Sequence, residues 1–310
     1  MFYLKSINFE NFCGYKKIVL SFFKDNKPLP LSVFFGPNGT GKSTILSGIR
    51  IISNPYQFYG RENDLYFRKM TFHEDYDPTY AGFMKSSREM MLEGTFVDVE
   101  MKEYKVIIDK NGIVDSQLPR YNSDQEGWSI FTDADHPINM NKFQLKEESK
   151  DKFLEIASYV YGLPLELGKP IETHDFNETA RFYQDLIIVK NEVRVHFKRM
   201  SDGERKIATL LRTICNESVM NPSKICLIDN AEMHIYFKRH PGLVRRLISI
   251  FPEIQFITTS HSSTFIQATR SQVGDESLFD LEKFHGYDMV KYDSTTEPER
   301  FCAETRSVEG

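Results

Sequence analysis

The chain has 310 residues, 40% of them hydrophobic and 27% charged, with a formal net charge of −5. That length suits one large domain, or a domain with an insertion, and the apolar fraction suffices for a sizeable core. Mild acidity argues against a globally basic nucleic-acid binder and leaves room for local basic patches.

No apolar run approaches the length of a membrane span, and the N-terminus lacks a basic-then-apolar leader pattern. The expected compartment is therefore the cytoplasm. Four cysteines, Cys13, Cys215, Cys226 and Cys302, are widely spaced. They fit reduced thiols better than a disulfide framework or a zinc site. There are no internal repeats and no low-complexity segment.

Residues 1–110 read as strands around one loop. Leu31–Phe35 (L-S-V-F-F) is apolar and β-prone, which predicts a buried strand. Residues 36–43 follow as G-P-N-G-T-G-K-S, a complete phosphate-binding loop. Gly36, Gly39 and Gly41 let the backbone turn tightly, so that bare N–H groups, Asn38's among them, can face phosphate oxygens. Residues 42–52 read as a helix whose N-terminus presents unpaired donors to the phosphates. Lys42 would reach the β- and γ-phosphates, the Ser43 hydroxyl would ligate Mg²⁺, and Thr44 helps close the helix start.

Residues 95–100 alternate in polarity, Glu103–Asp109 is strand-like, and residues 110–112 form a turn between strands. Residues 112–137 are polar and turn-rich and read as an irregular insertion. Residues 141–161 read as one helix, bounded by Gly162 and Pro164. Residues 186–197 read as a hairpin turning at Lys190 and Asn191.

A helix is predicted from Ser201, because Ser201 with Glu204 makes a capping box in S-D-G-E. An ordinary capped amphipathic helix would explain that much. Gly203 in its first turn costs helix stability and is explained if something approaches the backbone closely. A hydroxyl, a Gly N–H and a helix N-terminus together suit a γ-phosphate.

Residues 224–229 (K-I-C-L-I-D) form an apolar strand ending in Asp229, whose carboxylate can hold Mg²⁺ through water. Asn230, Glu232 and His234 follow. Glu232 can deprotonate water or be a surface charge at a helix start. Lys238, Arg239 and His240, with Arg245 and Arg246, form a basic cluster on a predicted helix, either a solvated face or a surface for DNA or an acidic partner. Residues 253–259 form another buried strand, leading to His261, which can hydrogen-bond a γ-phosphate or the attacking water.

In order, these motifs resemble the heads of ABC-type ATPases. The resemblance is closest to the branch containing structural-maintenance-of-chromosomes proteins, RecF and the overcoming-lysogenisation-defect nucleases. The opening, residues 4–12 (L-K-S-I-N-F-E-N-F), is similar to that branch's first strand and turn. The resemblance implies an α/β P-loop NTPase head with a mixed sheet. Its core covers about 1–110 and 186–310, with a compact inserted lobe at about 111–185.

The family further implies an ATP-sandwiched head-to-head homodimer. Lys42, Ser43 and Asp229 would serve the ATP of their own subunit, His261 would read its γ-phosphate, and Ser201 and Gly203 would complete the partner's site. The branch's D-E-P-E-x-H-L is here D-N-A-E-M-H-I, so Asn230 stands where the catalytic Glu would be, and an amide cannot take a proton from water. Either Glu232 substitutes as base or hydrolysis is slow. Gln57 is the candidate for the family's Mg²⁺-sensing glutamine.

No heptad pattern sustains coiled-coil arms between Ser43 and Ser201. The residues after His261 are too few for an appended nuclease domain. Such an armless head resembles compact AAA-family ATPases of anti-phage systems, which pair with a separate effector. A near-inactive ATP-gated scaffold and a RecF-like DNA repair ATPase are the alternatives.

Overall fold

The computed structural model describes residues 2–12, 15–55, 90–109, 112–119, 129–133, 143, 145–169, 171–174, 180–183, 185–220 and 224–285. Gln57, Cys13 and Cys302 lie outside them.

The chain opens with β1 (Phe2–Phe12), in which Leu4, Ile7 and Phe9 are buried between half-buried neighbours. A register shift between Leu4 and Ser6 resets the alternation, so both halves of the strand keep their apolar residues inward. β1 pairs antiparallel with β2 (Tyr15–Ser21) on one side. A two-residue hairpin, β3 (Phe23–Lys24) and β4 (Lys27–Pro28), leads to β5 (Leu31–Phe35). Helix α1 (Lys42–Ser53) follows the loop, as the phosphate-loop pattern predicts.

On its other side β1 pairs with β6 (Met91–Asp98). β6 pairs with β7 (Glu103–Asp109), and β7 with β8 (Gly112–Ser116). This antiparallel sheet has the order β2-β1-β6-β7-β8. β9 (Ser129–Asp133) then joins a different sheet. The reading of 112–137 as irregular is therefore corrected, because backbone pairing partners far along the chain recruit two of its pieces as strands.

The predicted helix over 141–161 is shorter. A 3₁₀ turn at Glu147–Ser149 precedes α2 (Lys150–Tyr161), which ends at Gly162 in the left-handed region. Next come β10 (Leu165–Leu167) and the small hairpin of β11 (Ile171–His174) and β12 (Ala180–Tyr183). The later hairpin pairs β13 (Leu186–Lys190) with β14 (Val193–His196). It turns at Asn191 and Glu192, both at positive φ, one residue beyond the expected turn. α3 (Asp202–Met220) leads to β15 (Ile225–Asp229), α4 (His240–Ile250), β16 (Gln255–Thr259), α5 (Ser263–Gln272), β17 (Leu278–Asp280) and α6 (Leu281–His285).

The second five-stranded sheet, β17-β5-β16-β15-β9, is wholly parallel. Parallel and antiparallel strands are thus divided between two sheets. β15 and β16 are buried at every residue, the mark of a sheet covered on both faces. Phe34, Ile225, Leu227 and Ile257 pack with α1 and the antiparallel sheet. Val33, Cys226, Ile228 and Phe256 pack on the opposite face with α2, α3, α4 and α5. Cys215 and Cys226 are free thiols, and burial pushes the Cys215 thiol up to about 12, as expected of an inert core residue.

Gln255 ties the sheets together. Its Oε1 accepts the Leu4 N–H at 2.8 Å, and its Nε2 donates to the carbonyls of Leu4 at 2.9 Å and Phe22 at 3.3 Å. Among the described residues there is no coiled coil, and no helix is long and apolar enough to cross a membrane.

Candidate functional site

Because β5, β15 and β16 run parallel and in register, their carboxyl ends open on one edge of the sheet. Ligands bind at that edge in sheets of this kind. The Ser260 N–H donates to the Phe34 carbonyl at 3.0 Å, which carries the alignment past the strand ends. The loop after β5, Asp229 at the end of β15 and the 260–262 loop after β16 therefore lie side by side.

The loop after β5 turns through Gly36, Gly39 and Gly41, all at positive φ. α1 starts without a side-chain cap and without an acidic residue in its first turn, so its leading N–H groups are left for an anion. Lys42 is buried, and its Nζ donates to the carbonyls of Gly36 at 3.0 Å and Pro37 at 2.8 Å. Burial lowers the basicity of Lys42, while the charges of Asp229 and Glu232 act in the opposite sense. Those two carboxylates thus share the lysine's electrostatic surroundings. Ser43 is exposed in the first turn, and the Thr40 hydroxyl bonds the Pro37 carbonyl at 2.9 Å.

One element of this cradle had no signal in the sequence. Tyr15 of β2 is buried, donates its hydroxyl to the Thr40 carbonyl, and lies with its ring 2.8 Å from where a side chain on Gly41 would begin. It braces the loop from the antiparallel sheet.

At the end of β15 the Asp229 Oδ1 accepts the Thr259 hydroxyl. The same hydroxyl oxygen accepts the Asn230 N–H at 2.8 Å. Asn230 takes a left-handed conformation, φ 53°, which turns the chain sharply away from the strand. Glu232 then reaches across to the next loop. Its Oε1 accepts the backbone N–H groups of His261 at 2.7 Å and Ser262 at 3.1 Å. Its Oε2 is buried without a hydrogen-bond partner. His261 is exposed at the mouth of the edge.

The predicted capping box at the start of α3 is present. The Ser201 N–H and hydroxyl both donate to Glu204 Oε2 at 2.9 Å, and the Glu204 N–H returns to the Ser201 oxygen at 3.4 Å. Burial favours the neutral acid, but Lys190 at 2.5 Å and the Ser201 donors outweigh it and hold Glu204 below the usual range. At Gly203 an added Cβ would lie 3.3 Å from Nδ1 of His234 of the same chain. Ser201 and Gly203 make no hydrogen bond to residues 36–43 among the described residues.

The donor set fits Mg²⁺. Among the described residues no three His, Cys, Asp or Glu side chains gather into a protein-made metal cage. One hydroxyl and one carboxylate suit a hard cation that takes its other ligands from phosphates and water.

The profile of a family described as "AAA ATPase domain" matches residues 2–186. The chain belongs to this AAA ATPase domain family. It is 33% identical over 97 residues to the retron Ec83 probable ATPase of Escherichia coli, over 28% of this chain and 18% of that protein. It is 30% identical over 97 residues to the retron Vc95 probable ATPase of Vibrio cholerae serotype O1 biovar El Tor, over 28% of this chain and 19% of that one. The match therefore spans less than a fifth of these curated relatives.

Among solved structures, the SMC head domain from Thermotoga maritima superposes with a TM-score of 0.51 at 16% identity, covering 86% of this chain and 91% of that one. The Smc head domain with an extended coiled coil, bound to the C-terminal domain of ScpA and derived from Pyrococcus furiosus, gives 0.54 at 13% identity, covering 86% and 92%. At such identities the likeness is one of fold. This AAA ATPase domain thus has the P-loop head architecture that the motif order implied, and an ATPase of this fold binds nucleotide.

Proposed function

We propose that the chain is an ATP-hydrolysing head that dimerises face to face around ATP and Mg²⁺ and so controls a separate effector. The observation that carries this reading is the meeting of Lys42, Asp229, Glu232 and the His261 loop at one edge of the parallel sheet. Gly36, Asn38, Gly39, Gly41 and Thr44 would line the phosphates with the N-terminus of α1, and Lys42 would reach the β- and γ-phosphates. Ser43 and Asp229 would hold Mg²⁺, which when bound supplies charge neutralisation on the phosphates. His261 would read the γ-phosphate, and Ser201 and Gly203 of a second copy would close the site. Water would attack the γ-phosphorus in line as the bond to the β-γ bridging oxygen breaks, releasing ADP and phosphate.

The armless head and the two retron relatives support an effector-controlling role, in anti-phage defence. A second reading, an ATP-gated scaffold with little turnover, is favoured by a specific feature. Asn230 cannot accept a proton, and Glu232 Oε1 is engaged by two backbone donors.

Steady-state ATPase activity of the full chain beside Lys42→Ala, with light scattering in ATP and Mg²⁺, tests both. Turnover lost in Lys42→Ala, with dimers forming on ATP, supports the ATPase. Dimers without turnover above that background favour the scaffold, and failure to bind ATP sinks both. Stimulation by duplex DNA would move the assignment to repair.

A further inference from the structure

Between the acidic strand and α4 the chain carries an unusual surface. Tyr236 and Phe237 are adjacent, 56% and 52% exposed, with ring centroids 4.8 Å apart. Lys238 lies over Tyr236 at 5.9 Å. Arg239 and Arg246 both lie against Tyr159 of α2, with their guanidinium carbons 5.2 Å and 3.8 Å from its ring centroid. Two glycines make room for this. A Cβ on Gly162 would collide with the Arg239 guanidinium, and one on Gly242 with the Tyr159 ring and hydroxyl.

The donors of this cluster are largely unused. Arg246 has one long bond, 3.5 Å to the Gly242 carbonyl, and its Nε is buried without an acceptor. Some surface cations elsewhere are paired, as Lys5 is with Glu103, Lys24 with Glu276 and Arg270 with Asp275, while Lys27, Lys198 and Arg199 are not among the described residues, so what sets this stretch apart is its density of cations beside exposed rings. Lys238, Arg239, Arg245 and Arg246 have no carboxylate partner among the described residues. On a chain of net charge −5, four uncompensated cations in one short stretch mark a site for an external polyanion.

We infer that this surface binds single-stranded nucleic acid. Guanidinium groups with free donors suit phosphates, and exposed rings among them give unstacked bases a π-face that a duplex, with its bases stacked inside, cannot use. The turn that carries this surface adjoins the 260–262 loop, where His240 Nδ1 pairs with the Ser262 hydroxyl at 2.9 Å, but oligonucleotide binding without nucleotide is read separately from ATP turnover.

The test is fluorescence anisotropy of the full chain, without nucleotide, against a labelled oligothymidylate of about 20 nucleotides, where each phosphate that is no longer neutralised lowers the salt slope by about 0.7. Phe237→Ala, a change at an exposed ring, should weaken binding about tenfold. Arg239→Ala should weaken it and flatten the salt dependence, and ATPase activity, measured alongside, should be unchanged in both. Duplex bound as tightly as the single strand and indifferent to Phe237→Ala would overturn the inference. So would polyglutamate binding in its place, or a Phe237-dependent self-association with no affinity for the oligonucleotide.

Discussion

Glu232 stands two residues beyond the position at which an amide replaces a carboxylate, and its own carboxylate is turned onto the His261 loop. That orientation separates two roles that one substitution confuses. If Glu232 holds the loop through Oε1, Glu232→Gln keeps a carbonyl oxygen to accept the same two N–H groups and retains most of the turnover. Glu232→Ala leaves those donors unsatisfied, and kcat should fall by about tenfold, the effect of losing a charged-acceptor bond of about 1.5 kcal/mol. Equal loss in both variants would show Glu232 to be the base instead. Tyr15→Phe is a quieter test at the same scale. It keeps the ring against Gly41 and removes the hydroxyl's bond to Thr40, so ATP affinity, read by calorimetry, should fall by about fivefold. The phosphate loop, Asp229 and His261 were legible as motifs. Tyr15 was not, because its partner Thr40 is brought to it by the pairing of sheets rather than by spacing along the chain.

Two elements depend on single polar side chains. Gln255 satisfies both backbone groups of Leu4 at the bulge in β1. Gln255→Leu fits the apolar pattern of β16 but strands the Leu4 N–H and carbonyl. The variant should lose about 1–3 kcal/mol or more in urea unfolding, and an unchanged midpoint would refute the role. At the start of α3 the lowered pKa of Glu204 sets a pH dependence. A carboxyl whose folded pKa lies below its unfolded value stabilises the fold above the ordinary glutamate range. That contribution is lost as pH falls through the lowered value. Melting of the wild type and of Glu204→Gln should therefore differ most near neutrality and converge in acid. The capping box could be read from Ser201 and Glu204 alone, whereas Lys190, the other half of the effect, reaches the site from a hairpin.

Across the whole protein, α1 and α3 lie in the cores on opposite faces of the parallel sheet. A site needing both the phosphate loop and the Ser201–Gly203 turn is therefore proposed to be completed by a second copy. Lys42→Ala and Ser201→Arg should each abolish turnover alone. Mixed in equal amounts they should recover about a quarter of wild-type activity, because half the dimers would then carry one intact composite site. No recovery on mixing would place the whole site within one chain.

Strong local signals were enough for part of this protein. Glycines that must turn a loop, an apolar run that must be buried and a serine that caps a helix act over a few residues. Chain order alone therefore dictates the phosphate loop, the strands that end at Asp229 and before His261, and the start of α3. Whatever depends on partners far along the chain emerges only when the sheets and helices are assembled. Residues 129–133 (S-I-F-T-D) hold three β-prone residues inside a polar, turn-rich stretch, and they become a strand where β15 offers an edge. Glu232 reads from the sequence as a candidate base, and that its Oε1 also holds the next loop emerges only from the chain reversal at Asn230. Arg239, Tyr159 and Arg246 meet only because two helices, and the glycines between them, pack closely enough to bring them together.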